Sequence, residues 1–218
     1  MPEDSHKAEI PLAKPVAEIP GGSLTVLRRK ARGCRACDLW KDATQTVFGK
    51  GPDSARVMLI GEQPGLHEDR EGTPFVGPAG KLLDRALDEA GLDRNQVYLT
   101  NTVKHFKYEP RGKLRLHKRA NAAEQDACRM WLAAELARIQ PKVIVALGAM
   151  AAQTLFGSTF SVTRERGRWR PLGAGAAGFA TLHPSAVLRA PEHRRAELYR
   201  ELVRDLKSIK AHGELNDP

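Results

Sequence analysis

At 218 residues and with an ordinary globular composition, the chain can bury one substantial core, which excludes a repeat, a fibre and a disordered polymer. Lys+Arg 35 against Asp+Glu 26 leaves a formal charge of +9, a balance that favours polyanionic partners such as nucleic acid and serves solubility equally well. No run approaches the ~20 apolar residues that cross a bilayer, and Met1-Pro2-Glu3-Asp4-Ser5 lacks the basic and apolar regions of a signal peptide, so a cytoplasmic protein without a membrane partner is expected.

Residues Met1 to Gly22 hold several prolines and mixed charges with no sustained period, which reads as a flexible leader. His212 to Pro218 reads as a fraying tail, and residues 23–211 as one domain. Near its start lies Cys34-Arg35-Ala36-Cys37. With Cys128 the chain has three cysteines, which cannot form a fully paired disulfide framework, so this spacing suggests a metal or a redox pair in a reducing compartment.

Short β-rich runs then alternate with amphipathic stretches, the pattern of parallel strands joined by crossover helices. The strands expected are Ala55 to Ile60, Val97 to Asn101, Val143 to Leu147 and Phe179 to Leu182, with lengths that suit burial on both faces. Between the first two, Leu82, Leu83, Ala86, Leu87 and Ala90 recur at helical spacing, and Gly91 can end the helix in a left-handed conformation. A second helix runs from about Ala122 to Ile139 and is stopped by Pro141. A third follows Gly148, and a fourth near Glu192 to Ile209 presents Leu198, Leu202, Leu206 and Ile209 on one face. Right-handed crossovers make this an α/β fold, a three-layer α/β/α arrangement with a central four-stranded parallel sheet.

Gly61-Glu62-Gln63-Pro64-Gly65 sits where the first strand ends, and open α/β sheets bind ligands in the crevice beyond strand carboxyl ends. Pro74-Phe75-Val76-Gly77, Asn101 and His183-Pro184-Ser185 are its downstream partners. Each residue alone has a plain alternative: Glu62 as an acidic cap, Phe75 as packing, Asn101 as a turn residue, His183 as a loop residue. Cys34, Cys37, His105 and Cys128 make a possible four-ligand set of thiolates and imidazole, and spacing leaves zinc, iron-sulfur and unrelated buried thiols all open. Lys104 to Arg119 interleaves many cations with Phe106, Tyr108 and His117, as a solvated, DNA-contacting loop would.

Taken together, these residues resemble the family 4 group of the uracil-DNA glycosylase superfamily over roughly Cys34 to Lys210. Within that group the first motif usually carries Ala where this chain has Gln63, and Cys where it has His105. Both departures point to one subgroup, UdgX, which also carries a basic insertion ending in histidine. Its usual form is Lys-Arg-Arg-Ile-His, and Lys113-Leu114-Arg115-Leu116-His117 differs at two positions while keeping the histidine.

The resemblance implies uracil-containing DNA as the partner, single-stranded or with the base flipped from a duplex, and no obligate protein partner is evident. It implies that Phe75 stacks on uracil, that Asn101 reads its O4 and N3–H edge, and that Gln63 offers its backbone amide. His183 would donate to uracil O2 as negative charge develops there, and Glu62 would act beside C1′ on the sugar cation or on a proton. Ser185, Arg189, Lys113 and Arg115 are expected to contact DNA. Cys34, Cys37 and Cys128 fall where the family holds a 4Fe-4S cluster, His105 falls where the remaining cysteine would be, and the cluster would staple the N-terminal segment to the sheet. His117 is implied as the nucleophile on C1′, leaving a covalent protein–DNA complex after a single turnover. The rival readings are a glycosylase in which water attacks and a non-catalytic iron-sulfur DNA-binding protein.

Overall fold

The computed structural model describes residues 11–112 and 114–212. Helices are α1 (Leu24–Arg32), α2 (Leu66–Glu71), α3 (Pro78–Glu89), α4 (Ala122–Ile139), α5 (Ala149–Phe156), α6 (Val162–Glu165), α7 (Pro184–Arg189) and α8 (Glu192–Ala211). Strands are β1 (Val57–Gly61), β2 (Val97–Asn101), β3 (Tyr108–Arg111), β4 (Leu114–His117), β5 (Val143–Leu147), β6 (Arg170–Pro171) and β7 (Ala177–Thr181).

The main sheet has the order β2-β1-β5-β7-β6. Its first four strands are parallel, with Val57 opposite Val97 on one side and Val143 on the other, and Leu147 opposite Thr181. Every residue of these four strands is buried, so successive side chains feed two separate cores. Met58, Ile60, Tyr98, Ile144 and Ala146 pack with α1, α4 and α5. Val57, Leu59, Leu99, Val145 and Phe179 pack with α3, α7 and α8 on the opposite face. This is the expected α/β/α layering, and cutting a fully buried side chain such as Leu59 back to alanine costs about 2–5 kcal/mol.

Two features depart from the four-strand expectation. The short β6 pairs antiparallel to β7 at the sheet edge. It contains a proline, which is tolerated on an edge because an edge strand leaves backbone donors unpaired anyway. Lys104 to Arg119, read as a loop, contains the antiparallel hairpin β3–β4, in which Tyr108 faces His117 and Arg111 faces Leu114. Gly112, at φ +59, supplies the left-handed residue its turn needs. The last parallel strand also begins earlier than expected, at Ala177, and within it Gly178 lies against the Ile144 carbonyl where a side chain would collide.

Of the expected leader, residues 1–10 lie outside the described residues. Residues 11–22 contain no helix or strand, but Leu12 packs on the core and Ala13 N donates to Thr154 O at 3.0 Å. In the expected tail, His212 stacks on Trp169 with ring centroids 3.7 Å apart, and residues 213–218 lie outside the described residues. Among the described residues no helix is long and apolar enough to cross a membrane.

Candidate active site

The carboxyl ends of β1, β2 and β7 open into a cleft of about 820 Å³, and the tip of β4 closes one side of it. Its walls include Glu62, Phe75, Asn101, His117, His183 and Arg189. The sheet register sets this geometry, since Gly61 and Asn101 are the last paired residues of β1 and β2. A side chain at Gly61 would collide with both the Asn101 Oδ1 and the Phe75 ring edge. Glycine there is what lets the amide and the ring meet at one point.

Phe75 is buried and adopts φ +56, a conformation that costs a non-glycine residue of order 1–3 kcal/mol. The neighbouring groups hold it there. Glu68 Oε1 accepts the N–H groups of Val76 (3.0 Å) and Gly77 (2.8 Å), while its Oε2 accepts Gly65 N–H at 3.0 Å. Arg94 donates to the Phe75 carbonyl at 3.3 Å, and Gly80 leaves room for that carbonyl. One carboxylate therefore joins the two glycine-rich loops. Glu68 was not among the sequence candidates, although a glutamate three residues after an N-cap can accept the N-cap N–H, as it does here from Gly65.

His183 caps the N-terminus of α7. Its Nδ1 accepts the Ser185 backbone N–H at 3.1 Å and lies 2.8 Å from the Ser185 hydroxyl. A backbone N–H can only donate, so Nδ1 carries the lone pair and the neutral ring bears its proton on Nε2. Burial, reinforced by Arg189 and His117, lowers the imidazole to about 4, so the ring is neutral across the physiological range. The Ser185 hydroxyl, expected on DNA, lies against His183 Nδ1 in this structure. Gly148, at φ +88, passes so close to His183 Cβ that a side chain would push the imidazole away.

His117 ends β4 and reaches the same cleft, with its ring 6.2 Å from that of Phe106. Desolvation lowers its pKa, Glu62 pulls the other way and Arg189 lowers it further. Arg115 and Lys118, cations close to it in sequence, are not the source of this depression. Arg115 lies over the Tyr108 ring at 4.8 Å and 3.6 Å from the buried Asp69 carboxylate, and Lys118 pairs with Glu109 at 2.6 Å. Lys113 lies outside the described residues.

The Gln63 side chain reaches the hairpin. Its Nε2 donates to the carbonyls of Lys107 (3.2 Å) and Lys118 (3.0 Å), and its Oε1 accepts Ala120 N–H at 3.0 Å. Lys107 and Lys118 flank the hairpin and are bonded to each other, so Gln63 grips the hairpin at its base.

Behind this wall lie the three thiols and His105. Cys34 Sγ accepts Trp131 Nε1–H and Cys128 Sγ accepts the Lys104 backbone N–H, each at 3.2 Å. Burial pushes Cys128 up to about 12, with the nearby Cys34 and Cys37 adding to the rise, and burial also raises Cys37. Thr46 donates its hydroxyl proton to Ala31 O at 3.0 Å, so His105 Nε2–H, 2.9 Å away, is the donor to that hydroxyl. His105 Nδ1 is left with its lone pair. Among the described residues no three or more His, Cys, Asp and Glu side chains form a group that could hold a metal ion. The donor chemistry nevertheless fits an iron-sulfur cluster, which spreads its ligands over several irons: three neighbouring thiols, two of them already receiving N–H donors, and a neutral imidazole.

Residues 48–207 match the model of the uracil DNA glycosylase superfamily. The chain belongs to the uracil DNA glycosylase superfamily. It is similar to the type-4 uracil-DNA glycosylase of Sulfurisphaera tokodaii, at 36% identity over 196 residues covering 86% of this chain and 84% of that protein. The type-4 uracil-DNA glycosylase of Thermotoga maritima is 36% identical over 189 residues, covering 86% and 93%. A type-5 uracil-DNA glycosylase of Pyrobaculum aerophilum is 28% identical over 180 residues, covering 75% and 76%. The superfamily match takes in β1 to β7 and therefore every wall of the cleft. Cys34 and Cys37 lie before it.

Proposed function

We propose that the protein excises uracil from DNA and couples itself through His117 to C1′ of the resulting abasic sugar. The type-4 relatives support the first half. The observation that carries the second is that His117 lines the same cleft as Phe75, Asn101 and His183.

In this reading the flipped uracil lies against Phe75, and the Asn101 amide offers the donor and acceptor that match O4 and N3–H. A base presenting the reverse pattern leaves a buried amide unpaired. As the N1–C1′ bond breaks, its electron pair moves onto uracil, and His183 Nε2–H stabilises the charge on O2. The departing uracil anion takes a proton from solvent. Glu62, beside the cleft, stabilises the cationic sugar. The neutral His117 ring then gives a nitrogen lone pair to C1′, a C–N bond forms, and the proton on its other nitrogen is lost to Glu62 or solvent. A ring held near C1′ outcompetes water through its high effective concentration.

Cys34, Cys37, Cys128 and His105 would hold a 4Fe-4S cluster whose contribution is structural. Protein purified without oxygen should be brown and carry iron, and stoichiometric zinc with no iron would refute the assignment.

The decisive test is a denaturing gel of the protein mixed with labelled uracil-containing DNA. The parent should give a heat- and detergent-stable shifted band. His117→Ser should release uracil, give no such band and leave an abasic strand that alkali cleaves. A parent that releases uracil repeatedly without the band is a turnover glycosylase using water, and a parent that releases none is a binding protein.

A further inference from the structure

Directly beneath Asn101 lies a fully buried ion pair that the proposed chemistry does not use. Lys104 Nζ stands 2.6 Å from Glu135 Oε2, and neither side chain is exposed. The ammonium has three donors and all are engaged: to Glu135, to Thr100 Oγ1 at 2.6 Å and to the backbone carbonyl of Asn101 at 2.7 Å. Glu135 in turn accepts Gly49 N–H (2.9 Å), Tyr98 O–H (3.0 Å) and the Thr100 hydroxyl (2.9 Å).

Such a pair is a poor device for stability alone. Desolvating two charges costs about what their attraction returns, and well-packed apolar replacements of similar volume are often neutral or stabilising. What an apolar pair cannot supply is the acceptor for the Gly49, Tyr98 and Thr100 donors, which is structural, and the donor to the Asn101 carbonyl, which bears on the cleft. Asn101 is the last residue of β2, and the peptide that follows it is held at both ends, by Lys104 Nζ on the carbonyl and by Gly61 O on the Thr102 N–H at 3.0 Å. Fixing that peptide plane fixes the direction in which the Asn101 side chain leaves the backbone. Lys104 is anchored in its own right, since its N–H donates to Cys128 Sγ and its carbonyl accepts Val47 N–H at 2.7 Å. Cys128 and Glu135 are seven residues apart on α4, two turns along the same face. The base-reading residue is thus tied through Lys104 to the helix that carries Cys128.

We infer that Lys104, held by Glu135, is a positioning residue for the Asn101 amide and thereby sets selection of uracil over cytosine. The inference rests on the reading that Asn101 recognises the base.

The experiment compares single-turnover excision from uracil- and cytosine-containing single strands for the parent, Asn101→Asp, Glu135→Gln and the double variant Lys104→Met with Glu135→Met, each with its melting temperature. The double variant removes the donor without stranding a buried charge. Because Gly49 N–H and the Tyr98 and Thr100 hydroxyls lose their acceptor, it should melt below the parent, as Glu135→Gln should, but it alone should lose uracil-over-cytosine selection, on the order of tenfold or more. Glu135→Gln keeps the Lys104 donor in place and should melt lower while keeping selection near that of the parent. Lost selection that tracks lost stability across these variants would make the pair merely structural and overturn the inference. So would a folded double variant with parent selection. If Asn101→Asp leaves selection unchanged, the base-reading role of Asn101 falls first, and the inference falls with it.

Discussion

Glu68 holds Phe75 in its left-handed conformation: one carboxylate oxygen takes the next two backbone N–H groups, and the other takes that of Gly65. Glu68→Ala leaves those donors unpaired in a buried loop, at a cost of about 1–3 kcal/mol for each one that finds no water. The ring should then relax from its strained backbone and leave the cleft wall. Calorimetry should show a lowered melting temperature, and single-turnover excision should fall at least as far as for Phe75→Ala, where about 1–3 kcal/mol of stacking is lost. Glu68→Ala excising uracil at the parent rate would show that the loops hold themselves.

His183 is a neutral donor because Ser185 occupies its Nδ1. Removing that donor with His183→Ala should slow excision by an amount equivalent to about 3–4 kcal/mol, the usual value of one group aimed at a developing oxyanion. Ser185→Ala keeps the backbone N–H on Nδ1 and loses only the hydroxyl. Its excision rate should therefore lie between those of the parent and His183→Ala, measured with protein in excess over a labelled strand. A Ser185→Ala rate as low as that of His183→Ala would assign the hydroxyl a role on DNA.

Excision and coupling should separate with pH. In the proposed mechanism attack on C1′ needs neutral His117, whose pKa is lowered by desolvation at the cleft and by Arg189 against the pull of Glu62. Coupling should therefore be complete above the ordinary imidazole value of about 6.5 and should fail as pH drops through the lowered value. His183, lowered to about 4, keeps its tautomer through that interval, so uracil release persists where the covalent band has faded. Quantifying band and free uracil in parallel across mildly acidic buffers tests this, and a band that strengthens on acidification would exclude attack by neutral His117.

The layering of the fold was legible because four runs of apolar residues, each ended by a turn signal, have one economical arrangement. Val143 to Leu147 and Ala122 to Ile139 have the bounds that their periodicity suggests. Phe75, Asn101, His117 and His183 meet in one cleft, as the motifs imply. What escaped were features defined across the chain. The β3–β4 ladder alternates apolar and polar residues, as in Leu114-Arg115-Leu116-His117, but each run is only four residues long, almost wholly exposed and set within a basic stretch, so the signal is weak. Lys104 looks like one more cation in a basic stretch, and only its pairing with Glu135, thirty-one positions away on another element, explains its burial. The local partners of the Ser185 hydroxyl and of Arg115, His183 and Asp69, could not be read from residue type, because both residues have the chemistry of DNA contacts.

The grip of Gln63 on the hairpin gives the most direct way to separate coupling from excision. Its amide bonds two carbonyls at the hairpin base and one N–H beyond it, so the reach of His117 into the cleft depends on a residue outside the hairpin. Gln63→Ala cuts all three bonds but leaves Glu62, Phe75, Asn101 and His183 in place. Loss of each hydrogen bond costs about 0.5–1.5 kcal/mol. The hairpin should therefore sample positions in which His117 is withdrawn. A nucleophile displaced by about 1 Å can lose on the order of a hundredfold in rate. Water then captures the sugar cation in a share of events. The expected product mixture is free uracil at near-parent yield, a weaker covalent band and a new fraction of abasic strand cleaved by alkali. Gln63→Glu should resemble alanine, since a carboxylate cannot donate to the two carbonyls. If Gln63→Ala forms the covalent band at the parent rate and yield, the hairpin is rigid without it, and the stacking of Phe106 on Tyr108, with centroids 5.2 Å apart, becomes the structure that holds His117 in reach.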